Sequence, residues 1–310
     1  MSLTASIIIP AYNASAFLHE AIASAQAQTV RDIEILVVDD CSTDGTWDLA
    51  TSFAARDPRV IPLRRTRRGG PSAACNTGIE CARGRWIAVL DADDLYLPER
   101  IERLVALGEE RGADLIADNL LEREFDTGAD LGLHFPEAIL SREEPLSLAE
   151  MLHWDMPDLP GRARMGYVQP VKRREFLLRA GIRFAEDVEA GEDFLFYFEC
   201  VARGGRFHLT PEAYYVYRLR RGSVSNRAAS APHYSAANRR MLTLARRLSD
   251  PGLLEALLQR QELLDYSSFV YLLEEGEVLR ALSYVPCRSS TQLLARFRAV
   301  RSILAPPRVA

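Results

Sequence analysis

Short apolar runs rich in branched side chains alternate with helical patterns over the first part of the chain. Each run is bounded by proline, glycine or aspartate, which is typical of buried strands, and five strands are predicted: Ser6–Ile9, Ile33–Val38, Val60–Leu63, Trp86–Leu90 and Asp114–Ala117. The intervening segments predict helices: Ala16–Gln26, Trp47–Ala55, Ser72–Ala82 and Pro98–Glu110. This alternation indicates βαβ units, so we expect an α/β protein with a Rossmann-like, mainly parallel sheet and helices on both faces.

The regular pattern weakens between Asn119 and Gly166, where prolines and glycines interrupt it. One helix near Leu148–Trp154 and a loop that covers a ligand are expected in this part of the chain. Regularity then returns with two predicted helices, Arg173–Ala180 and Glu192–Arg203, and with a strand, Ala213–Tyr217. After Arg227 the sequence is helical and rich in leucine through Leu279.

Composition narrows the class of protein. The 310 residues carry a formal net charge of −5 and have a pI near 5.7, which argues against a nucleic-acid binder. The cysteines are odd in number and form no C-x-x-C pair, so reduced thiols are expected at Cys41, Cys75, Cys81, Cys200 and Cys287. The sequence contains neither a signal-peptide pattern nor an apolar stretch of the ~20 residues that span a bilayer. We therefore expect a cytoplasmic protein, with contact to a membrane surface left open.

Acidic residues follow two of the predicted strands where those strands end. Ligands of open α/β sheets bind beyond the carboxyl ends of the strands. Asp91 and Asp93 follow a buried strand, and because residues i and i+2 point the same way they can converge on one hard cation, either Mg²⁺ or Mn²⁺. Asp39 and Asp40 end another strand, where a carboxylate can accept the imide N–H of a uracil or bind ribose hydroxyls. The alternative for each pair is a turn or capping role, which we prefer for Asp44.

Four motifs together resemble glycosyltransferase family 2. They are IIIPAYN (Ile7–Asn13), VVDDCSTDGT (Val37–Thr46), the G-x-S-x-A-x-N-x-G segment Gly70–Gly78, and VLDADD (Val89–Asp94), in the order and approximate spacing of that family. The resemblance implies a GT-A fold, a UDP-sugar donor, a divalent metal and inversion at the anomeric carbon. One departure is Cys41, where the family usually has glycine or asparagine.

The resemblance also implies roles for individual residues. Asp40 would meet the base with Asp39 supporting it, and Asp91 and Asp93 would flank the diphosphate and bind the metal. The remaining donor residues of the first half would be Pro10, Tyr12, Asn13, Gly70, Asn76 and Ala92. The domain boundaries that follow are a GT-A domain over residues 1–225, comprising a nucleotide-sugar half (1–120) and an acceptor half (121–225), and a helical extension over residues 226–310.

The second half of the GT-A domain is expected to supply the catalytic base. The motif Gly191-Glu192-Asp193 precedes a predicted helix and is similar to the acidic motif on the acceptor side of the family. We predict Asp193 as the base and Glu192 as the residue that positions the base or the acceptor; the alternative is that both acids favour a helix N-terminus. Arg218 and Arg221 are candidates for holding the diphosphate, against the alternative of solvated charge. Trp154 and Gln169 are candidate acceptor contacts, against structural roles.

The C-terminal segment places apolar residues on one helical face among arginines. Such a basic amphipathic helix suits an anionic membrane surface, and the alternatives are docking on its own domain or in a homodimer. The segment around Gln169 also resembles exopolysaccharide glucosyltransferases of the succinoglycan type. This resemblance implies a growing oligosaccharide on a polyprenyl diphosphate at the inner face of the cell membrane.

Other classes of protein remain as alternatives. A dinucleotide-dependent dehydrogenase needs a G-x-G-x-x-G turn after its first strand, and a sugar nucleotidyltransferase needs a glycine-rich loop there. The chain has Pro-Ala-Tyr-Asn-Ala-Ser at that position, which fits neither. A retaining GT-A transferase is the runner-up among enzymes. A catalytically inactive nucleotide-sugar sensor or scaffold is the alternative that is not an enzyme.

Overall fold

The computed structural model describes residues 3–157, 164–220 and 230–284 of the chain. The strands and helices predicted in the first part of the sequence are confirmed, with ends that shift by one or two residues in most cases. In chain order they are β1 (Ala5–Ala11), α1 (Leu18–Gln26), β2 (Ile33–Asp39), α2 (Thr46–Ala54), β3 (Val60–Arg64), α3 (Gly70–Cys81), β4 (Trp86–Val89), β5 (Leu95–Tyr96), α4 (Arg100–Glu110) and β6 (Leu115–Glu124). The short strand β5 was not predicted, and β6 runs well beyond its predicted end.

The second part of the chain contributes shorter elements and then long helices. They are β7 (Asp130–Leu133), α5 (Glu137–Leu140), α6 (Leu148–His153), a 3-10 turn (Met165–Tyr167), β8 (Val171–Arg173), α7 (Arg174–Ala180), α8 (Glu192–Ala202), β9 (Phe207–Leu219), α9 (Ala231–Ala245), α10 (Pro251–Glu274) and α11 (Val278–Leu282). The helical, leucine-rich region predicted after Arg227 is therefore confirmed through α11. No helix in the described ranges is apolar over enough turns to cross a bilayer.

The strands form one sheet with the order β3-β2-β1-β4-β8-β6-β9-β5, and β7 pairs with β6. The first four strands in this order are parallel, and so are β6 and β9, whereas β8 is antiparallel to both of its neighbours. The expected α/β class is confirmed, with a sheet that is parallel over β3, β2, β1 and β4 and mixed beyond them. Because β1, β2 and β4 run the same way, the loops that follow them meet at one edge.

Helices cover both faces of this sheet. In β1, Ile7 and Ile9 pack into a cluster with α1 and α4, whereas Ile8 points the other way into a cluster with α3 and α8. A strand buried on both faces reads as a continuous apolar run rather than an alternating one, which explains the sequences of β1 and β2.

The helices after residue 230 share the larger of these two clusters. Met241 of α9 and Leu257 of α10 are fully buried in it. A buried ion pair joins Arg260 of α10 to Asp155, and Arg260 also donates to Asn238 of α9 at 3.0 Å. These helices therefore pack on the same core as the sheet, and the boundary at residue 225 stays a prediction.

Candidate active site

The loops after β1 and β2 are tied to each other. Asn13 has a left-handed backbone (φ 48°), its N–H donates to Ser42 Oγ at 3.0 Å, and its side-chain oxygen accepts the N–H of Thr43 at 2.9 Å. Cys41 is also left-handed (φ 64°), a conformation that favours glycine or asparagine. The family preference at the position of Cys41 thus has a backbone cause.

The two acids at the end of β2 have different surroundings. Asp40 is almost fully buried, and its carboxylate accepts the N–H groups of Gly69 at 3.0 Å and Gly70 at 2.7 Å and the Arg65 Nε at 2.8 Å. Asp39 is fully buried; its Oδ1 accepts the N–H of Ser42 at 3.1 Å. Its Oδ2 accepts no hydrogen bond from the described residues and lies 3.3 Å from Arg64 Nε. Of the two carboxylates, Asp39 therefore has the oxygen without a hydrogen bond from the described residues, buried beside Arg64.

The loop before α3 is shaped by Asp40 and Arg65. Gly70 begins α3 with φ 80°, which a side chain would strain, and its N–H points at Asp40. The Arg65 guanidinium also donates to Ala73 O at 2.8 Å and Thr77 Oγ1 at 2.6 Å. No sequence pattern distinguishes Arg65 from the neighbouring arginines. Arg68 differs from it, because its guanidinium lies over the Tyr12 side chain, 4.0 Å from the ring centroid.

Asn76, predicted to bind the donor, has all its polar atoms engaged within the protein. Its Oδ1 accepts the N–H of Phe184 at 2.9 Å, and its Nδ2 donates to Phe184 O and to Glu186, both at 3.0 Å. Because the side chain is almost fully buried and its donors and acceptor are in use, we assign Asn76 to joining α3 with the segment after α7.

The loop after β4 carries Asp91, Ala92, Asp93 and Asp94. Asp94 is buried, with Oδ2 accepting the hydroxyl of Tyr215 at 2.8 Å and Oδ1 accepting the N–H of Arg218 at 2.7 Å. Asp91 has no partner so close: its Oδ2 lies 3.4 Å from Gln169 Nε2 and 3.5 Å from the Tyr215 hydroxyl. Asp94 therefore fixes the loop to β9, whereas the Asp91 carboxylate is held only loosely.

The arginines at the end of β9 are placed differently from the prediction. Arg218 is buried; its Nε donates to the Asp93 carbonyl, and its NH1 pairs with Glu20 at 2.9 Å. Its remaining nitrogen, NH2, has no hydrogen-bond partner among the described residues. Arg220 is more exposed and lies 3.4 Å from the Asp93 carboxylate. Arg220 therefore keeps an exposed guanidinium beside Asp93, whereas Arg221 lies outside the described residues.

The acidic motif of the second half stands at the start of α8. Gly191 has φ 79°, and the ring of Tyr234 from α9 lies where a side chain at Gly191 would be, 2.8 Å from that position. Only glycine fits there without displacing Tyr234. Glu192 and Asp193 begin the helix, as predicted. The C-terminal helices thus help to shape the turn that presents the two acids.

Two side chains, Gln169 and Tyr197, connect Asp91 after β4 with Asp193 at the start of α8. Gln169 Nε2 faces Asp91, and its Oε1 accepts the hydroxyl of Tyr197 at 3.3 Å. The Tyr197 hydroxyl also contacts the Asp193 carboxylate and lowers its pKa. Gln169, predicted as an acceptor contact, is buried between Asp91 and Asp193. Trp154, the other predicted contact, is partly buried against the larger cluster and packs edge-on against His153.

The carboxylates at this rim are buried and repel one another, which raises their pKa values. Burial, and then the negative charges of Asp193 and Asp93, raise the pKa of Asp91 to about 7. Burial and the charge of Glu192 likewise raise the pKa of Asp193 to about 7. Burial also raises the pKa of Glu192 and, together with Asp91 and Asp93, that of Asp94. Crowded acids of this kind are typical of functional sites.

The residues present fit a divalent cation. A cation beside Asp91 and Asp93 would relieve the repulsion that raises the pKa of Asp91, and Mg²⁺ takes one or two carboxylates with phosphate oxygens and waters. The described residues contain no group of three His, Cys, Asp or Glu side chains that could hold a metal ion.

Several residues of the site were missed in the sequence. Tyr197 lies one helical turn after Asp193, and that i, i+4 spacing was the signal that could have identified it. Tyr215 and Asp94 meet across more than a hundred residues, and no local pattern relates them.

The fold, with acidic residues from both halves of the chain gathered at one rim, defines a GT-A glycosyltransferase. Residues 6–173, more than half of the chain, match the profile of Glycosyl transferase family 2. The succinoglycan biosynthesis protein ExoO of Rhizobium meliloti (strain 1021) is 36% identical over 270 residues, which cover 86% of this chain and 76% of that protein. The chain therefore belongs to glycosyltransferase family 2.

Other similar proteins agree with this assignment. The Escherichia coli protein WfaP, named UDP-Glc:alpha-D-GlcNAc-diphosphoundecaprenol beta-1,3-glucosyltransferase, is 38% identical over 100 residues, 32% of this chain and 39% of that protein. S. aureus TarS 1-349, solved with UDP-GlcNAc, has a TM-score of 0.72 at 20% identity and covers 97% of this chain and 90% of its own. The mannosyltransferase PcManGT from Pyrobaculum calidifontis, solved with GDP-Man and Mn²⁺, has a TM-score of 0.58 at 21% identity, over 97% of this chain and 81% of its own. These structures confirm the GT-A fold.

Proposed function

We propose that this glycosyltransferase moves a hexose, with glucose as the first candidate, from a UDP-sugar to a hydroxyl of a saccharide acceptor, with inversion. The observation that carries the proposal is the convergence of Asp91 and Asp193, which come from the two halves of the chain and are connected through Gln169 and Tyr197. This arrangement supports a reaction centre with the leaving group beside Asp91 and the base at Asp193.

For the donor, we propose that Asp39 rather than Asp40 meets the nucleotide base. Asp39 has an oxygen without a hydrogen bond from the described residues, which can accept the imide N–H of uracil, whereas Asp40 is occupied by Gly69, Gly70 and Arg65. Pro10, Tyr12 and Asn13 line the nucleotide side, and Arg220 is the diphosphate contact that we propose beside Arg221.

Asp91 and Asp93 would hold Mg²⁺ or Mn²⁺, and a cation there supplies charge that stabilises the leaving diphosphate. The support is the excess of carboxylates described above, together with the Mn²⁺ in the PcManGT structure. The carboxylates around Asp91 favour a cation at this rim even before a nucleotide adds its own negative charge.

For the transfer itself, Asp193 takes the proton of the acceptor hydroxyl. The hydroxyl oxygen forms a bond to the anomeric carbon while the bond from that carbon to the diphosphate oxygen breaks, and the electron pair leaves with UDP. A pKa of about 7 suits Asp193 to this role, because a base works best when its pKa lies near the operating pH. Glu192 borders the acceptor side and positions the hydroxyl or the base.

For the acceptor, we propose a lipid-linked oligosaccharide in the synthesis of a bacterial polysaccharide. ExoO is named for succinoglycan biosynthesis, and WfaP for a diphosphoundecaprenol acceptor. Trp154 is the described residue that we propose against the acceptor sugar. A cytoplasmic location at the membrane surface fits this role, with the segment after residue 284 as the proposed contact; that segment and the homodimer alternative lie outside the described residues.

A transfer assay tests the proposal. The protein with Mn²⁺ is offered UDP-Glc, UDP-Gal and UDP-GlcNAc with an α-GlcNAc diphospholipid acceptor, and the product is analysed by NMR. A β-linked product from the α-linked donor is expected. An α-linked product would support the retaining alternative, and donor binding without transfer to any acceptor would support the sensor or scaffold.

Deleting Leu293–Ala310 should weaken binding to anionic vesicles without changing donor hydrolysis.

A further inference from the structure

A lysine is buried in the middle of the sheet, directly beneath the acidic motif of α8. Lys172 is fully buried in β8, where it pairs with Ile87 of β4 and Leu115 of β6. Its ammonium donates to the Pro170 carbonyl at 3.0 Å. The structure therefore places a cation among apolar strands.

Such a burial is costly unless something compensates for it. An ammonium group loses several kcal/mol of hydration when it is buried, even after the protein relaxes around it. Within the described ranges, no carboxylate lies within ion-pair distance of Lys172, and one carbonyl and two aromatic rings are its near neighbours. A methionine would fill the same space without this cost, so the charge itself needs an explanation.

The side chains around the ammonium belong to one face of α8. The ammonium lies 5.6 Å from the ring centroid of Tyr197 and 5.9 Å from that of Phe196. The hydroxyl at the far end of Tyr197 contacts the Asp193 carboxylate. Asp193 is also the negative charge that interacts most strongly with Lys172. The nearest strong compensation for the lysine is thus the residue proposed as the base.

We propose that Lys172 is a positioning residue, whose buried positive charge keeps Asp193 ionised and oriented, through Tyr197, toward the acceptor hydroxyl. This inference rests on the proposed role of Asp193. It explains why β8 carries a lysine between Val171 and Arg173 at the centre of the sheet.

The charges around both groups support this assignment. Burial raises the pKa of Asp193, and among its neighbours Glu192 raises it further while Lys172 and Tyr197 lower it. Burial lowers the pKa of Lys172 to about 8, and Asp193 opposes that change. The other groups that face this pair are Asp91 after β4, Cys75 of α3, Cys200 of α8 and Arg100 of α4. Since Lys172 is the cation of this set that lowers the pKa of Asp193, its removal should make Asp193 harder to ionise.

The experiment is a pH profile of transfer at saturating Mn²⁺ and UDP-sugar. Lys172→Met and Lys172→Gln both remove the charge, and the glutamine keeps a polar group near Pro170 in case methionine does not fold. We expect the acid limb of kcat to move up by about one pH unit and kcat at pH 7 to fall about fivefold, as two charges several ångströms apart in a protein interior predict. The donor KM and the affinity for UDP should stay within about twofold of the native values, because the donor side is untouched.

Two further variants serve as controls. Lys172→Arg keeps the charge and should keep the native acid limb. Cys200→Ser changes the polarity of a neighbour of Lys172 without adding a charge, and it should also leave the limb in place. If both neutral variants lose activity with an unmoved acid limb, Lys172 is merely structural and the inference is wrong.

Asp193→Asn separates this inference from the proposal on which it rests. If Asp193→Asn retains native transfer, the proposed base is wrong. If Asp193→Asn abolishes transfer but the neutral Lys172 variants leave the limb unchanged, only the role of Lys172 is overturned.

Discussion

Two aspartates that follow parallel strands on either side of β1 have opposite surroundings. Asp40, after β2, accepts three hydrogen bonds of 3.0 Å or less from Gly69, Gly70 and Arg65. Asp91, after β4, has no side-chain partner closer than 3.4 Å among the described residues, and burial with neighbouring acids raises its pKa to about 7. A carboxylate satisfied by the protein holds a loop, whereas one left unsatisfied at a rim is available to a ligand.

The same contrast separates the other acids. Asp94 resembles Asp40 because Tyr215 and the Arg218 backbone occupy it. Asp193 resembles Asp91, since it lies among like charges at the rim. The contrast predicts that substitutions in the first group reduce stability, and that substitutions in the second reduce activity while the fold is retained.

The largest expected effect follows from Asp193→Asn. The amide cannot accept the acceptor proton, so kcat should fall by about 10²–10⁴-fold, the usual contribution of a general base. Steady-state transfer with saturating UDP-sugar measures this. The affinity for UDP should be unchanged, because Asp193 faces the acceptor. The exposed Asp187→Asn, in the segment before α8, is the matched control and should keep native kcat. A loss of less than tenfold in Asp193→Asn would contradict its role as base.

Asp40→Asn should mainly destabilise the protein. The amide nitrogen would face the N–H groups of Gly69 and Gly70, and breaking a buried, charge-assisted network costs about 2–4 kcal/mol. Chemical unfolding with urea measures this loss. If stability is unchanged and UDP binding is lost, Asp40 contacts the nucleotide after all, as the family resemblance first implied.

Asp39→Asn is the matched change at the neighbouring position. It should weaken UDP binding about 10- to 100-fold by removing a charged acceptor for the base, equivalent to about 1.5–3 kcal/mol. Its effect on the free energy of unfolding should be smaller than that of Asp40→Asn, because the Asp39 carboxylate accepts one hydrogen bond from the described residues, from Ser42, and pairs with the half-exposed Arg64. Calorimetric titration of UDP measures the affinity. Equal UDP affinity in the native protein and in Asp39→Asn would contradict the assignment.

The smallest expected effect is a pH dependence of stability without metal. The native pKa of Asp91 and Asp193, about 7, exceeds the unfolded value near 3.9, so the native state binds more protons in this window and stability falls as pH rises from about 4 to 7. With chelator, Tm should therefore be about 2 °C higher at pH 6 than at pH 8. Asp91→Asn should reduce this difference, and Mn²⁺ should stabilise the protein most at pH 8. A Tm that rises with pH under chelator would contradict the account.

The sequence predicted much of the fold because its strands are buried on both faces. Continuous apolar runs such as Ile7–Ile9 and alternating helical segments marked β1 to β4 and α1 to α4. Antiparallel β8 was hidden, since it is three residues long and carries Lys172 and Arg173. Arg65, Asn76 and Arg218 were harder still. Their side chains bond to residues brought near only by folding, and a sequence pattern does not separate a buried arginine from an exposed one.

The site itself was predictable as far as the strand ends. Asp91 and Asp193 were proposed from motifs, and the structure brings both to one rim through Gln169 and Tyr197. The different roles proposed for Asp39 and Asp40 were not predictable, because they depend on which carboxylate accepts the N–H groups of Gly69 and Gly70. Tertiary contacts, rather than residue type, decide which acids are left for a ligand.

Calorimetric titration of UDP tests the central claim most directly, that the Asp91–Asp93 rim holds the cation and the diphosphate. The native protein and Asp93→Ala are each titrated with Mn²⁺ and with chelator. The account predicts UDP binding to the native protein that depends on Mn²⁺ and is lost in Asp93→Ala, with both proteins unfolding at similar temperatures. Equal UDP affinity with and without Mn²⁺, or native affinity in Asp93→Ala, would contradict it.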